Sequence, residues 1–274
     1  MFFVKFWGVR GSIACPSPDH VRYGGNTSCV EIGAGDHSFI LDAGTGIRAL
    51  GNRFLESDVR TIYLLLSHTH WDHINGLPFF RPAYDPRRRM HILAGHLKDQ
   101  GLSIEGVLNQ QMREPVFPVP LDAMKAIVEC EDFQAGDAFE LFPGVRLSTA
   151  ALNHPNGATG YRIEHGGKSV CYITDTEHVP GQPDERILHL IEGADLVIYD
   201  STYTEAEFAD HIGWGHSTWN EGMRLCQMAG ARQLATFHHD PDHEDGAMDR
   251  IEADAQAAWS AIVVTRECMT IRLD

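Results

Sequence analysis

The chain predicts a layered α/β fold, with two β-sheets packed face to face and helices outside them. Three observations lead there. Short Val-, Ile-, Leu- and Tyr-rich runs bounded by Gly, Asp or Asn recur along the 274 residues. Helix-like stretches become frequent only in the second half. No repeat, low-complexity tract or Pro/Gly/Ser linker interrupts the pattern, so residues 1–274 are expected to form a single domain.

The opening run over 2–7 is apolar but short and is broken by Lys5, so it reads as a first strand and not a signal peptide. Further strands are predicted over 29–32, 38–41, 61–67, 91–94, 145–150, 160–164, 169–174, 196–199, 233–237 and 269–272. Helices are predicted over 46–56, 184–192, 218–229 and 246–261. The third has a clear start, with Ser217 or Thr218 as cap and Glu221 in the first turn, and Gly230 ends it. The stretch over about 77–126 breaks the rhythm with Arg81, Arg87, Arg88 and Arg89, then Pro115, Pro118 and Pro120. It is expected to form a lid-like excursion over the mouth of the site. Its arginines form either a solvated turn or a basic patch that draws in an anionic substrate.

Composition narrows the function. A hydrophobic share of 43% is ample for a core, and the net charge of −16 argues against extended nucleic acid or an anionic membrane as partner. No apolar run approaches the roughly 20 residues that span a bilayer. Cys15, Cys29, Cys130, Cys171, Cys226 and Cys268 are scattered without a CxxC pair, which fits reduced thiols in a cytoplasmic protein.

The chemistry is concentrated after the buried strand Thr61-Ile62-Tyr63-Leu64-Leu65-Leu66-Ser67. Four potential ligands, His68, His70, Asp72 and His73, fall within six residues. In a tight loop His68 and His70 can share one metal, while Asp72 and His73 reach a second beside it. Imidazole and carboxylate donors suit Zn²⁺, with Mn²⁺ or Fe²⁺ as alternatives.

The segment His68-Thr69-His70-Trp71-Asp72-His73 resembles the HxHxDH motif of the metallo-β-lactamase superfamily. The resemblance covers essentially the whole chain and implies a four-layer αββα sandwich holding two divalent metal ions. It implies further that His154 completes the first metal, Asp175 bridges the pair and His238 completes the second. His238 and His239 compete for that last role, and the strand end favours His238. His239 is then an orienting neighbour or part of the turn with Asp240 and Pro241.

The amino-terminal Phe6-Trp7-Gly8-Val9-Arg10-Gly11-Ser12, Tyr23-Gly24-Gly25-Asn26-Thr27-Ser28 and Leu41-Asp42-Ala43-Gly44-Thr45-Gly46 resemble the RNase Z and cyclic-phosphodiesterase branch. So does Gly213-Trp214-Gly215-His216-Ser217-Thr218. The chain shows no long Gly/Pro-containing arm of the kind that clamps tRNA. It also lacks the cysteine zinc site of close relatives of phosphoribosyl 1,2-cyclic phosphodiesterase.

The resemblance implies a dinuclear hydrolase, a phosphodiesterase acting on a small cyclic phosphate or cyclic nucleotide through a metal-bridging hydroxide. His216 would donate a proton or bind phosphate, unless it is merely a polar residue at a helix entry. Asp72 would add negative charge that retains the second metal. Arg10, Asn26, Asn153 and His216 are expected substrate contacts. Asp42 and Asp200 either orient the ligating imidazoles or serve structural turns. The same ligands would also serve hydrolysis of a lactone, thioester or β-lactam. A non-catalytic nucleotide or anion sensor is a further alternative. Diiron redox members usually carry an acidic residue where His70 stands, so the set is zinc-like. A homodimer is the commonest assembly for such a chain.

Overall fold

The computed structural model of the chain describes residues 2–35 and 37–273. Its strands are β1 (Phe2–Gly8), β2 (Cys29–Ala34), β3 (His37–Leu41), β4 (Thr61–Leu66), β5 (Arg89–Ala94), β6 (Ile127–Asp132), β7 (Ala138–Phe142), β8 (Val145–Leu152), β9 (Ala158–His165), β10 (Lys168–Ile173), β11 (Leu196–Asp200), β12 (Leu234–Phe237), β13 (Ile262–Val264) and β14 (Thr270–Arg272). Its helices are α1 (Ile47–Leu55), α2 (Trp71–Ile74), α3 (Ile104–Gln111), α4 (Glu185–Ile191), α5 (Glu205–Phe208), α6 (Trp219–Met228) and α7 (Asp245–Ala258). The strands form two seven-stranded sheets, ordered β14-β1-β2-β3-β4-β5-β6 and β13-β12-β11-β10-β9-β8-β7.

Each sheet is half antiparallel and half parallel. β3 to β6 run parallel in the first sheet, and β10 to β13 run parallel in the second. Parallel neighbours need crossover connections, which must cover an outer face. β4 shows the result at residue level. Ile62, Leu64 and Leu66 point outward beneath α1 and α3, while Leu65 points between the sheets with Phe39, Tyr161 and Tyr172. A third buried cluster lies under α4, α6 and α7 on the outer face of the second sheet. The four layers are therefore helices, sheet, sheet, helices. With both faces of β4 covered, its near-continuous apolar sequence is what this position requires.

The helix signals act as read. Thr218 caps α6 by accepting from Glu221 N at 3.1 Å, and Gly230 ends the helix in the left-handed region at φ 66°. Asp184 caps α4 by accepting from Arg186 N at 2.9 Å.

Two expectations are corrected. The 77–126 segment is not chiefly a lid. It supplies β5 and α3, and it buries Leu77, Phe80, Met90, Ile92, Leu108 and Met124 in the outer core of the first sheet. It is the crossover that parallel β4, β5 and β6 demand. Arg87, Arg88 and Arg89 form no patch for substrate either. Arg87 pairs with Asp85 at 2.8 Å and Arg89 with Glu129 at 2.7 Å, while buried Arg88 donates to the carbonyls of Phe54 and Val59. They stand at the amino end of β5, away from the strand ends where the ligands gather.

Candidate metal centre

The ligand-bearing loops leave the carboxyl ends of strands. His68 lies two residues past β4, His154 two past β8, Asp175 two past β10 and His238 one past β12. Convergence of strand ends at a crevice is the usual location of α/β sites. The chain turns sharply to aim these groups inward. Asp42, Asp175 and His238 occupy the left-handed region at φ 59°, 57° and 63°. Such backbone costs a non-glycine residue about 1–3 kcal/mol and persists where the surroundings enforce it.

α2 is a single turn, with His70 as its N-cap in extended backbone. It divides the first motif into two pairs. His68, His70 and His154 offer nitrogens within 4.8 Å of one another, and so do the donors of Asp72, His73 and His238. Asp175 lies between the groups. Its Oδ1 is 3.2 Å from His73 Nε2 and 3.4 Å from His238 Nε2, while its Oδ2 is 3.7 Å from both His68 Nε2 and His154 Nε2. The first sheet thus supplies four donors from one loop, and the second sheet three from three loops.

These residues fit divalent metal ions. The buried His68 Nε2 and His73 Nε2 have no hydrogen-bond partner, although carboxylate oxygens stand nearby. A buried polar atom left unpaired costs about 1–3 kcal/mol, and cations held in the two donor groups would satisfy both. Five imidazoles and two carboxylates form a donor set that such ions accept.

Charge is balanced around the focus. Burial pushes His68 well down, reinforced by neighbouring His73, so its ring is held neutral as a ligand must be. Burial likewise lowers His154. For His73 burial pulls downward, but Asp72, Asp175 and Asp42 outweigh it and raise the ring well above its ordinary value. Burial alone would raise Asp175, but His238, His73 and His68 hold it well below the usual carboxylate range.

The surrounding side chains fix the ligands. Asp42 is fully buried and takes Ser67 N at 2.7 Å, Ser67 Oγ at 2.7 Å and the Tyr172 hydroxyl at 2.8 Å, while lying 2.8 Å from His73 Nδ1. His154 Nδ1 is 2.8 Å from Gly215 O, and His238 Nδ1 is 3.0 Å from Thr202 Oγ1. Gly215 has φ 87°, and a Cβ there would come within 2.4 Å of His154 Nδ1, so only glycine permits this approach. Glu177 accepts from Gly213 N at 2.7 Å and Gly215 N at 2.9 Å, clamping the loop that ends in His216.

His216 faces the focus from that loop. Its Nδ1 is 3.0 Å from Asp200 Oδ2, and its ring stacks on His238 at 4.8 Å. Burial would lower this imidazole, but Asp200, Asp175 and Asp72 prevail and raise it to about 9. Asp200 also accepts from Thr176 N and Thr202 N. The cavity that opens onto the centre has a volume of about 450 Å³ and is lined by Ser12, Thr69, His70, Trp71, Asp72, Asp175, His216 and His238.

Several expected contacts lie elsewhere. The fully buried Arg10 donates to the carbonyls of Gly24, Asp240 and His243, so it ties loops together and offers nothing to a substrate. Asn26 is held by Glu267 through Nδ2 at 3.0 Å, and Asn153 donates to Glu177 O at 2.8 Å. Neither lines the cavity. His239 turns away from the focus, placing Nε2 3.0 Å from Thr265 O, and burial pushes it down to about 3. Sequence reasoning missed Ser67, Tyr172, Glu177 and Thr202. Only Tyr172 had a usable signal, because a tyrosine inside an apolar strand needs a partner for its hydroxyl.

Comparison with known proteins bears on this geometry. The family model described as the beta-lactamase superfamily domain matches residues 37–239, well over half of the chain. Ribonuclease Z of Bradyrhizobium sp. (strain ORS 278) is 24% identical over 308 residues, covering 95% of this chain and 96% of that protein. Ribonuclease Z of Haloarcula marismortui is 21% identical, covering 99% and 96%. Among solved structures, the metallo-beta-lactamase fold protein YhfI from Bacillus subtilis superposes with a TM-score of 0.74 at 18% identity, covering 98% of both chains. A diphosphatase of the PhnP family superposes with a TM-score of 0.73 at 18% identity, covering 100% of this chain and 98% of the other. The short form of human tRNase Z superposes with a TM-score of 0.67 at 19% identity, covering 99% of both. The chain belongs to the beta-lactamase superfamily and adopts its metallo-beta-lactamase fold.

Proposed function

We propose that the protein is a metal-dependent phosphoric ester hydrolase that cleaves a small anionic phosphodiester, a cyclic phosphate or cyclic nucleotide. The observation that carries this reading is the His216–Asp200 pair on the wall of the ligand cavity, with 3.0 Å between His216 Nδ1 and Asp200 Oδ2. The ribonuclease Z relatives and the PhnP-family diphosphatase, proteins named for hydrolysis at phosphorus, support it. The net charge of −16 favours a small substrate over an extended nucleic acid.

His68, His70 and His154 would hold one cation, and Asp72, His73 and His238 the other, with Asp175 between them; Zn²⁺ suits the donors best, and Mn²⁺ or Fe²⁺ are alternatives. Divalent cations held by these residues would supply Lewis-acid chemistry, lowering the pKa of water and stabilising charge on phosphoryl oxygens. Asp200 engages His216 at Nδ1, which leaves Nε2 for the substrate. His216 donates its Nε2 proton to the departing alkoxide. Ser12 N donates to Asp72 Oδ2 at 2.9 Å and fixes that carboxylate beside His73 and His238.

The test uses bis-p-nitrophenyl phosphate and 2′,3′-cyclic nucleotides with the metal-loaded protein. His216→Ala is expected to lower kcat about 10²-fold or more, the usual worth of a positioned proton donor. Normal turnover by the variant removes His216 from the reaction. Cleavage of a lactone or thioester with no phosphodiester turnover overturns the reading as a whole.

A further inference from the structure

Trp71 stands between two candidate ligands, His70 and Asp72, at the first position of α2. It lines the metal cavity yet is 84% exposed, while the adjoining Asp72 and His73 are buried. Its indole makes no hydrogen bond, ring contact or cation contact with any described residue. Trp7, by comparison, donates Nε1 to Glu31 at 3.0 Å and lies beneath Lys5. Packing within the fold therefore does not account for a tryptophan here.

The loop before His216 carries a second open indole. Trp214 is 62% exposed, two residues before His216. It is braced by neighbouring rings: edge-on to His211 at 5.0 Å, with His211 stacked on Tyr203 at 4.2 Å and Tyr203 edge-on to His216 at 6.1 Å. The cavity thus has an ionic floor and, in Trp71, one broad, flat, apolar face on its wall. An indole left in water beside an ionic cavity gains most by covering a second flat ring.

We propose that Trp71 determines substrate specificity at this centre, as a stacking platform for a planar aromatic group attached to the phosphodiester. The base of a nucleoside 2′,3′-cyclic phosphate has this chemistry. The inference rests on the phosphodiesterase reading above. It selects among small esters by the ring they carry, and every base offers such a face.

The test compares the Zn²⁺-loaded protein with Trp71→Ala and Trp71→Phe on 2′,3′-cyclic AMP and on glycerol 1,2-cyclic phosphate, which has no ring. Trp71→Ala is expected to lower the ratio of the two kcat/KM values about tenfold, through KM for the nucleotide, and Trp71→Phe to restore most of it. An unchanged ratio, or equal loss on both substrates, overturns the proposal. A binding measurement is independent of turnover. Adenosine 3′-monophosphate should quench the tryptophan emission of the wild type, the quench should be lost in Trp71→Phe, and glycerol phosphate should quench neither. No quench, or a quench that survives in Trp71→Phe, overturns the proposal. A quench that depends on Trp71 in a protein that cleaves no phosphodiester sustains stacking and sinks the hydrolase reading.

Discussion

At the scale of single residues, the Asp42 carboxylate shows how the centre depends on groups that coordinate nothing. Three donors and the His73 ring converge on it in the space between the sheets. Tyr172→Phe removes one of those donors and little volume. It is expected to lower stability by about 1–3 kcal/mol, since it leaves a buried carboxylate short of a partner. It should also weaken metal binding about 10- to 100-fold in competition with a chelator, the usual worth of an orienting contact. An unchanged competition curve would make the Tyr172 contact purely structural. The same scale shows what a sequence can disclose. The HTHWDH segment was legible because its donors share one loop. Tyr172 signalled only that its hydroxyl needs a partner, and that partner lies 130 residues away. Arg10 misled because an arginine among glycines resembles an anion binder, whereas its guanidinium is occupied by backbone carbonyls.

At the scale of elements, capping signals and apolar runs carried over closely. α4 and α6 begin and end within a residue or two of their predicted limits, and β4 ends at the residue before Ser67. The elements that escaped notice have physical excuses. β6 and β7 are edge strands, β6 carrying Glu129, Glu131 and Asp132; β13 has three residues; α2 and α5 are single turns; and α3 lies in the 77–126 stretch read as an excursion. The Asp184 cap offers a test at this scale. Burial would raise its carboxyl, but Arg186, through side chain and backbone N–H, holds it below its ordinary value. A carboxylate whose folded value is depressed stabilises the fold at pH values above its unfolded value. That contribution disappears as pH falls through the folded value. Asp184→Ala is therefore expected to cost about 1 kcal/mol at pH 7, and the difference from wild type should shrink below about pH 4. Urea melts at pH 7 and pH 3 measure it, and an equal difference at both would remove the carboxylate as its source.

At the scale of the whole molecule, the layering of two sheets with helices outside was predictable from patterning, whereas the use of 77–126 was not. That stretch reads as irregular because its turns carry Arg and Pro, yet the topology needs it as cover for β4 to β6. The orphaned His68 and His73 nitrogens imply that bound cations contribute to global stability. Free metal at about 100 times its Kd would add about 2.7 kcal/mol, and each kcal/mol moves the Tm of a chain of this size by about 2–4 °C. Chelation should lower Tm by several degrees, and one ion at a time should be countable by mass spectrometry of the native protein. A Tm indifferent to chelator would mean that no resident ion is held at this focus.

The division of donors between the two sheets has a consequence for timing. The single loop after β4 carries His68, His70, Asp72 and His73, but His154, Asp175 and His238 arrive on separate loops of the other sheet. Neither half of the molecule alone presents a finished nest for a cation. Metal uptake is therefore expected to be a late event, after the sandwich has closed around its apolar middle. Discrimination among cations then falls to a preformed cavity of set dimensions. Without an ion, the strained turns at Asp175 and His238 are held by packing and by the hydroxyls of Thr174 and Thr202.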